Sequence, residues 1–106
     1  MIYKGTTPTH SFKLPVSKEA VDEVRVTYAQ GAKVVLVKNT GNCSVTDDVV
    51  SVTLTQEETF LFKANVEVSI QVRVLTTDGH AFSSDTVSVG VYKCLDGEVL
   101  VDADGD

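Results

Sequence analysis

Apolar side chains recur at every second position along residues 66–75, VEVSIQVRVL, where Val66, Val68, Ile70, Val72 and Val74 alternate with Glu67, Ser69, Gln71 and Arg73. A period of two predicts a strand with one face in a core and the other, polar, face in solvent. Residues 23–28 repeat the pattern with Val24, Val26 and Tyr28 inward, and so do Val50, Val52 and Leu54 in a strand that ends at Thr55. In residues 9–14, THSFKL, Phe12 and Leu14 share a face, and Pro8 and Pro15 bracket the segment. Proline cannot donate to a ladder, so this first strand is predicted to lie at a sheet edge. KVVLVK, at 33–38, is apolar on both faces and predicts a strand that is central or covered on both sides. Residues 86–92 place Val87, Val89 and Val91 on one face and Ser88 and Gly90 on the other.

The segments between these runs read as chain reversals. Gly31 lies in the turn AQGA and is free to take positive φ. Residues 16–23 predict a turn or one helical loop, and NTGNCSVTDD, at 39–48, leaves room for one short edge strand near 43–45. Thr55-Gln56-Glu57-Glu58 is a capping-box pattern, which predicts one short helical turn near residues 55–60. Phe60 and Phe62 are candidates to plug the end of the core just beyond it; an ordinary surface turn is the alternative. Asp78-Gly79 predicts a tight type I′ hairpin between the last two strands. About seven short strands at regular spacing, without a long helix, predict an all-β, immunoglobulin-like β-sandwich of antiparallel strands, with 66–75 as the sixth.

Composition bounds this picture. At 106 residues, 42% hydrophobic and 23% charged, the chain is expected to be one folded domain over 1–95. The net charge of −6 is concentrated beyond it: Asp96, Glu98, Asp102, Asp104 and Asp106 follow the last base, Lys93, so 1–95 holds 10 acids against 9 bases. Residues 96–106 are therefore expected to form a flexible acidic C-terminal tail. A basic stripe that tracks a phosphate backbone is missing, which excludes direct nucleic-acid binding from the expected partners. Apolar runs fall well short of the roughly 20 residues that span a bilayer, and MIYKGTTPTHSF has no signal-peptide pattern, so cytoplasmic synthesis without membrane contact is expected. Cys43 and Cys94 fall outside the strands that carry the inter-sheet bridge of immunoglobulin domains, and the chain has no Trp to pack against one. Free, partly buried thiols are expected, and whether the two pair stays open.

Candidate chemistry is thin. His80 has Ser83, Ser84 and Asp85 close behind it, but near neighbours on one strand alternate between faces and do not converge on a reacting atom. His10, the other histidine, reads as a residue beside a turn. The two Cys and two His lack the paired spacing of a zinc site. Asp102-Ala103-Asp104-Gly105-Asp106 resembles the start of a calcium loop, yet the bidentate Glu such a loop needs would fall after the chain has ended. Asp47-Asp48 and Glu57-Glu58 read as turn and cap residues, and without Trp no sugar-stacking platform is expected. No catalytic, cofactor-binding or metal-binding residues are expected, and the chain reads as non-enzymatic.

Four pieces of sequence carry a family likeness: the opening TPTHxFxLP, a Gln after the second strand (VRVTYAQ), LTQEET before the long strand, and QVRVLTTDG leading into the hairpin. As a set they resemble a family of small proteins encoded among the structural genes of tailed phages and prophages of Gram-positive hosts, and the likeness runs over residues 1–100. More distantly, the layout resembles the N-terminal β-sandwich domain of phage baseplate upper proteins. The resemblance implies a virion-associated or assembly protein without enzymatic activity, whose partners are other phage structural proteins or further copies of itself. The first strand, by strand addition, and the polar face Glu67, Ser69, Gln71 and Arg73 are the expected contact surfaces. A host-surface or carbohydrate-binding module of the adhesin type is the alternative, on the strength of the sandwich and the acidic tail.

Overall fold

The structure, a computed structural model, describes residues 2–84 and 86–100. Its elements are almost all strands. Thr9–Lys13 (β2), Cys43–Thr46 (β5) and Val49–Thr53 (β6) form one antiparallel sheet in the order β2-β6-β5. Val21–Gln30 (β3), Lys33–Asn39 (β4), Val68–Thr76 (β7) and Ala81–Ser83 (β8) form a second in the order β4-β3-β7-β8, and Val87–Val89 (β9) pairs with β7 on the same side as β8. In the lettering of immunoglobulin domains, β2, β6 and β5 are B, E and D, while β4, β3, β7 and β8 are C′, C, F and G. This strand order makes the chain an immunoglobulin-like β-sandwich. One pairing departs from the antiparallel rule: Ile2–Tyr3 (β1) runs parallel to Val91–Tyr92 (β10) and buries Ile2 completely.

Alternation in the sequence explains the core. In the β3–β7 ladder Val24 lies opposite Val74, Val26 opposite Val72, and Tyr28 opposite Ile70, so both strands turn their apolar sides the same way. Val50, Val52 and Leu54 meet them, all buried. Each sheet thus covers the apolar side that the other would expose to water, at roughly 25 cal/mol per Å² removed. The expected helical turn is Gln56–Phe60 (α1), capped by Thr55 with the full reciprocal box to Glu58. Phe62, just beyond it, is the plug: it is buried and its ring packs 5.9 Å from that of Tyr28. Phe60 is half-buried instead, against Gly5.

Several expectations are corrected. KVVLVK does not form a central strand: among the described residues β4 pairs only with β3 and stands at the sheet edge, leaving Val34 55% and Val37 42% exposed. An apolar run reports what side chains meet, and says nothing about how many strands flank the backbone. Its last lysine, Lys38, is buried. Strand β7 starts at Val68, so Val66 is exposed where the alternation placed it inward. The hairpin tip is not type I′, because only Gly79 has positive φ (+89°). Bonds from Gly79 N–H to the Thr76 carbonyl and from Thr76 N–H to the His80 carbonyl make a three-residue loop with Gly79 in the left-handed position. Residues 86–92 divide into β9 and β10, which pair with different partners, β7 and β1.

Candidate functional site

Polar side chains gather at the end of the sandwich that α1 closes. Val52 of β6 lies opposite His10 on one side and Cys43 on the other, so all three share the inward side of that sheet. Tyr28 reaches them from β3, and its hydroxyl is 2.8 Å from His10 Nδ1. Burial pushes the Tyr28 hydroxyl far above its ordinary value and raises the Cys43 thiol, so both stay protonated. Burial likewise lowers His10 and favours its neutral ring. A protonated phenol, a protonated thiol and a neutral imidazole make a hydrogen-bonded support. They do not make an activated nucleophile.

Beside this cluster Lys38 Nζ meets Glu58 Oε2 at 2.6 Å, with side chains 9% and 21% exposed. Burial alone would raise the Glu58 carboxyl, but the bond from Lys38 and those from Thr55 outweigh it and hold it below the usual range. Glu58 therefore caps α1 and neutralises an inward lysine from β4. Composition gave no signal for that pair; the only hint was a Lys in register with apolar neighbours. Thr59 is also fully buried, accepting from the Gly5 amide and donating its hydroxyl to a carbonyl, with those of Thr6 and Gln56 both at 3.0 Å. Gln30, the glutamine of the family motif, donates to the carbonyls of Lys63 and Val66 and accepts from the Lys63 amide, so it pins the connection into β7.

The residues around His80 do not converge. His80 Nδ1 lies 3.0 Å from Asp78, and the Thr76 hydroxyl donates to the same carboxylate, which holds Asp78 down at about 2, with the Thr76 bond the larger cause. The Ser84 hydroxyl accepts from the Val72 amide instead, and Asp85 lies outside the described residues. Cys43 is half-buried and Cys94 exposed, and both are free thiols. Asp47 takes positive φ (+54°) in the β5–β6 turn, and Asp48 forms an exposed pair with Lys13 at 3.7 Å. Among the described residues there is no group of three His, Cys, Asp or Glu placed to hold a metal ion, and no helix is long and apolar enough to cross a membrane. Asp102, Asp104 and Asp106 of the expected tail lie outside the described residues. Leu100, within that tail, is clasped by Gln56, whose amide donates to its carbonyl at 3.0 Å and accepts its N–H at 2.7 Å.

Contact surfaces are better defined. Among the described residues strand β2 pairs only with β6, and the bonds from Leu14 to Asp48 and from Leu54 to Pro8 fix which of its residues face that ladder. By the alternation of antiparallel pairs, the amides and carbonyls of Thr9, Ser11 and Lys13 point away from β6. A groove runs between this edge and β8, lined by Leu14, Pro15, Val72, Val74 and Phe82. Phe82 pairs with Val74 on the core side of its sheet and is nevertheless 42% exposed, because nothing described lies opposite it. The polar face of β7 is uncovered by the other sheet: Arg73 is exposed and Ser69 and Gln71 are half-buried, and Glu67, just before the strand, is exposed as well.

No protein-family model matches the chain, and no curated protein matches it. One solved structure to which it is similar is the V domain of amphioxus IgVJ-C2, at 12% identity over 85% of this chain and 96% of that one, with a TM-score of 0.34.

Proposed function

We propose that the chain is a non-enzymatic structural or assembly module of a tailed phage or prophage, acting through contacts with other structural proteins. The observation that carries this reading is the open β2 edge, with three residues whose backbone groups point outward beside an apolar groove. An extended segment with alternating apolar side chains fits such a place: its backbone completes the ladder and its side chains enter the groove. The motifs that resemble the phage family support the same reading, since TPTHxFxLP contains β2 itself. Mass spectrometry of purified virions and assembly intermediates tests it. The protein is expected in at least one of them, and its absence from both overturns the proposal.

A further inference from the structure

Only two of the chain's nine basic residues are arginines, Arg25 and Arg73, and the fold makes them direct partners in the β3–β7 ladder. The Val24 amide bonds the Thr40 hydroxyl just past β4, so Arg25 turns its own backbone groups toward β7. The two arginines are therefore a hydrogen-bonded pair, with Cα atoms about 5.5 Å apart. Val24, Val26, Val72 and Val74 on either side of them are buried, so both arginine side chains leave the outer face of the larger sheet. Like charges directly opposite one another destabilise a sheet. Arg25 is neutralised by Glu23 at 3.1 Å, whereas no carboxylate pairs with Arg73 among the described residues.

The surroundings of the pair are matched to an acceptor. Asn39 lies beside Arg25 and Ser83 beside Arg73, so one row crosses β4, β3, β7 and β8. Asn39 accepts the Gly41 amide through Oδ1, which leaves its NH2 group to donate. Two guanidiniums, an amide NH2 and a hydroxyl make a row of donors, and an ionised carboxylate only accepts. The recess beside the row holds about 170 Å³ and is lined by Glu23, Arg25, Arg73, Val74, Leu75 and Ala81. That is below the roughly 300 Å³ at which pockets for whole small molecules begin, and enough for the head of one side chain. Two arginines and one glutamate leave the recess a single positive charge, which suits one carboxylate better than a phosphate carrying about −1.5 to −2.

We propose that Arg25 and Arg73 bind a carboxylate side chain, Asp or Glu, of a partner protein that docks on the outer face of the larger sheet. Such a contact calls for arginine, because its planar fork grips both oxygens of a carboxylate, and the chain's other seven bases are all lysines. The chain as a whole carries −6 and repels an acidic partner, so the pair also sets where that partner lands. The repulsion between the two arginines in the free sheet is stability given up for the contact. This surface lies on the sheet that does not contain β2, and it adds a second contact to the module proposed above.

Heteronuclear NMR of the full chain tests it, with a capped peptide of alternating aspartate and alanine as the probe. Exposed ion pairs are weak, so a dissociation constant on the order of 1 mM is expected. The Nε–H signals of Arg25 and Arg73 are expected to move, and the asparagine version of the peptide to leave them in place. Arg73→Lys keeps the charge and loses the fork, and is expected to weaken binding by roughly fivefold or more, the loss of one charge-assisted bond. Arg73→Gln is expected to abolish binding and to raise the melting temperature, because the like-charge contact is gone. Inorganic phosphate at equal ionic strength is expected to bind more weakly than the peptide. Unmoved arginine signals, a lysine variant that binds as well as the parent, tighter binding of phosphate, or a lower melting temperature in Arg73→Gln each overturn the proposal. So do arginine signals that respond to Asp102→Asn, Asp104→Asn and Asp106→Asn without added peptide, since the chain's own tail would then hold the site. All of these results leave the virion test of the β2 edge standing.

Discussion

At the scale of single residues, the Lys38–Glu58 pair and the His10–Tyr28 bond show how buried polar groups are kept from costing the fold its stability. Burying an ion is unfavourable unless a partner replaces the lost water, so removing one member of a pair is worse than never having had it. Lys38→Met is expected to destabilise by about 2 kcal/mol, less than the ~3–5 kcal/mol of fully buried pairs because Glu58 keeps a fifth of its side chain in water. Urea unfolding measures it, and a variant as stable as the parent would show the pair to be dispensable. His10 makes stability depend on pH. In the unfolded chain an imidazole titrates near ~6.5, and folding lowers His10, so just below that pH the unfolded state binds more protons. Its contribution is present above pH ~6.5 and is lost as pH falls through the lowered folded value. Melting temperature is expected to drop between neutral and mildly acid pH, and His10→Gln to flatten that part of the curve. Asp78 and Glu58, whose values lie below the usual carboxylate range, act only at lower pH and do not blur the window.

At the scale of elements, what could be read in advance was whatever is set by neighbours in sequence. The capping box is a local arrangement of Thr55 and Glu58, and α1 formed where it was expected. Thr55→Ala is expected to cost about 1 kcal/mol, and Thr55→Ser to restore most of it, because the hydroxyl that accepts the Glu58 amide is what matters. Equal losses in the two variants would assign the effect to packing. The inward sides of β3, β6 and β7 were equally legible, since alternation reports which side chains leave water. Position within a sheet was legible only where prolines mark an edge, as Pro8 and Pro15 do for β2. Whether KVVLVK has one neighbour or two depends on strands distant in sequence, and nothing in the six residues records it. The hairpin tip failed for a related reason: Asp-Gly allows several loops, and the Thr76 hydroxyl, which bonds Asp78 and the His80 amide, selects one of them. The polar cluster was hidden because its members come from β2, β3, β4, β5 and α1, each unremarkable alone.

For the whole molecule, the decisive property is that neither sheet has a core of its own. Val24, Val26, Tyr28, Val68, Ile70, Val72 and Val74 come from one sheet and Val50 and Val52 from the other, and Phe62 closes the end between them. If one sheet opened, the other would expose its whole apolar side, so partly open forms are unstable and the domain should unfold in one step. Far-ultraviolet circular dichroism, which sees both sheets, and tyrosine fluorescence, which reports Tyr28 among others, are expected to give coincident denaturant curves. Phe62→Ala should move both to lower denaturant together, by a loss of about 3–5 kcal/mol. The same connectivity sets the rate. The central ladder joins β3 to β7 across nearly forty intervening residues, so loop closure must precede most of the burial, and refolding on the order of milliseconds to seconds is expected by stopped flow. Non-coincident curves, or a shift in only one probe when Phe62 is truncated, would mean that one sheet persists without the other. The shared core would then have to be redrawn as two.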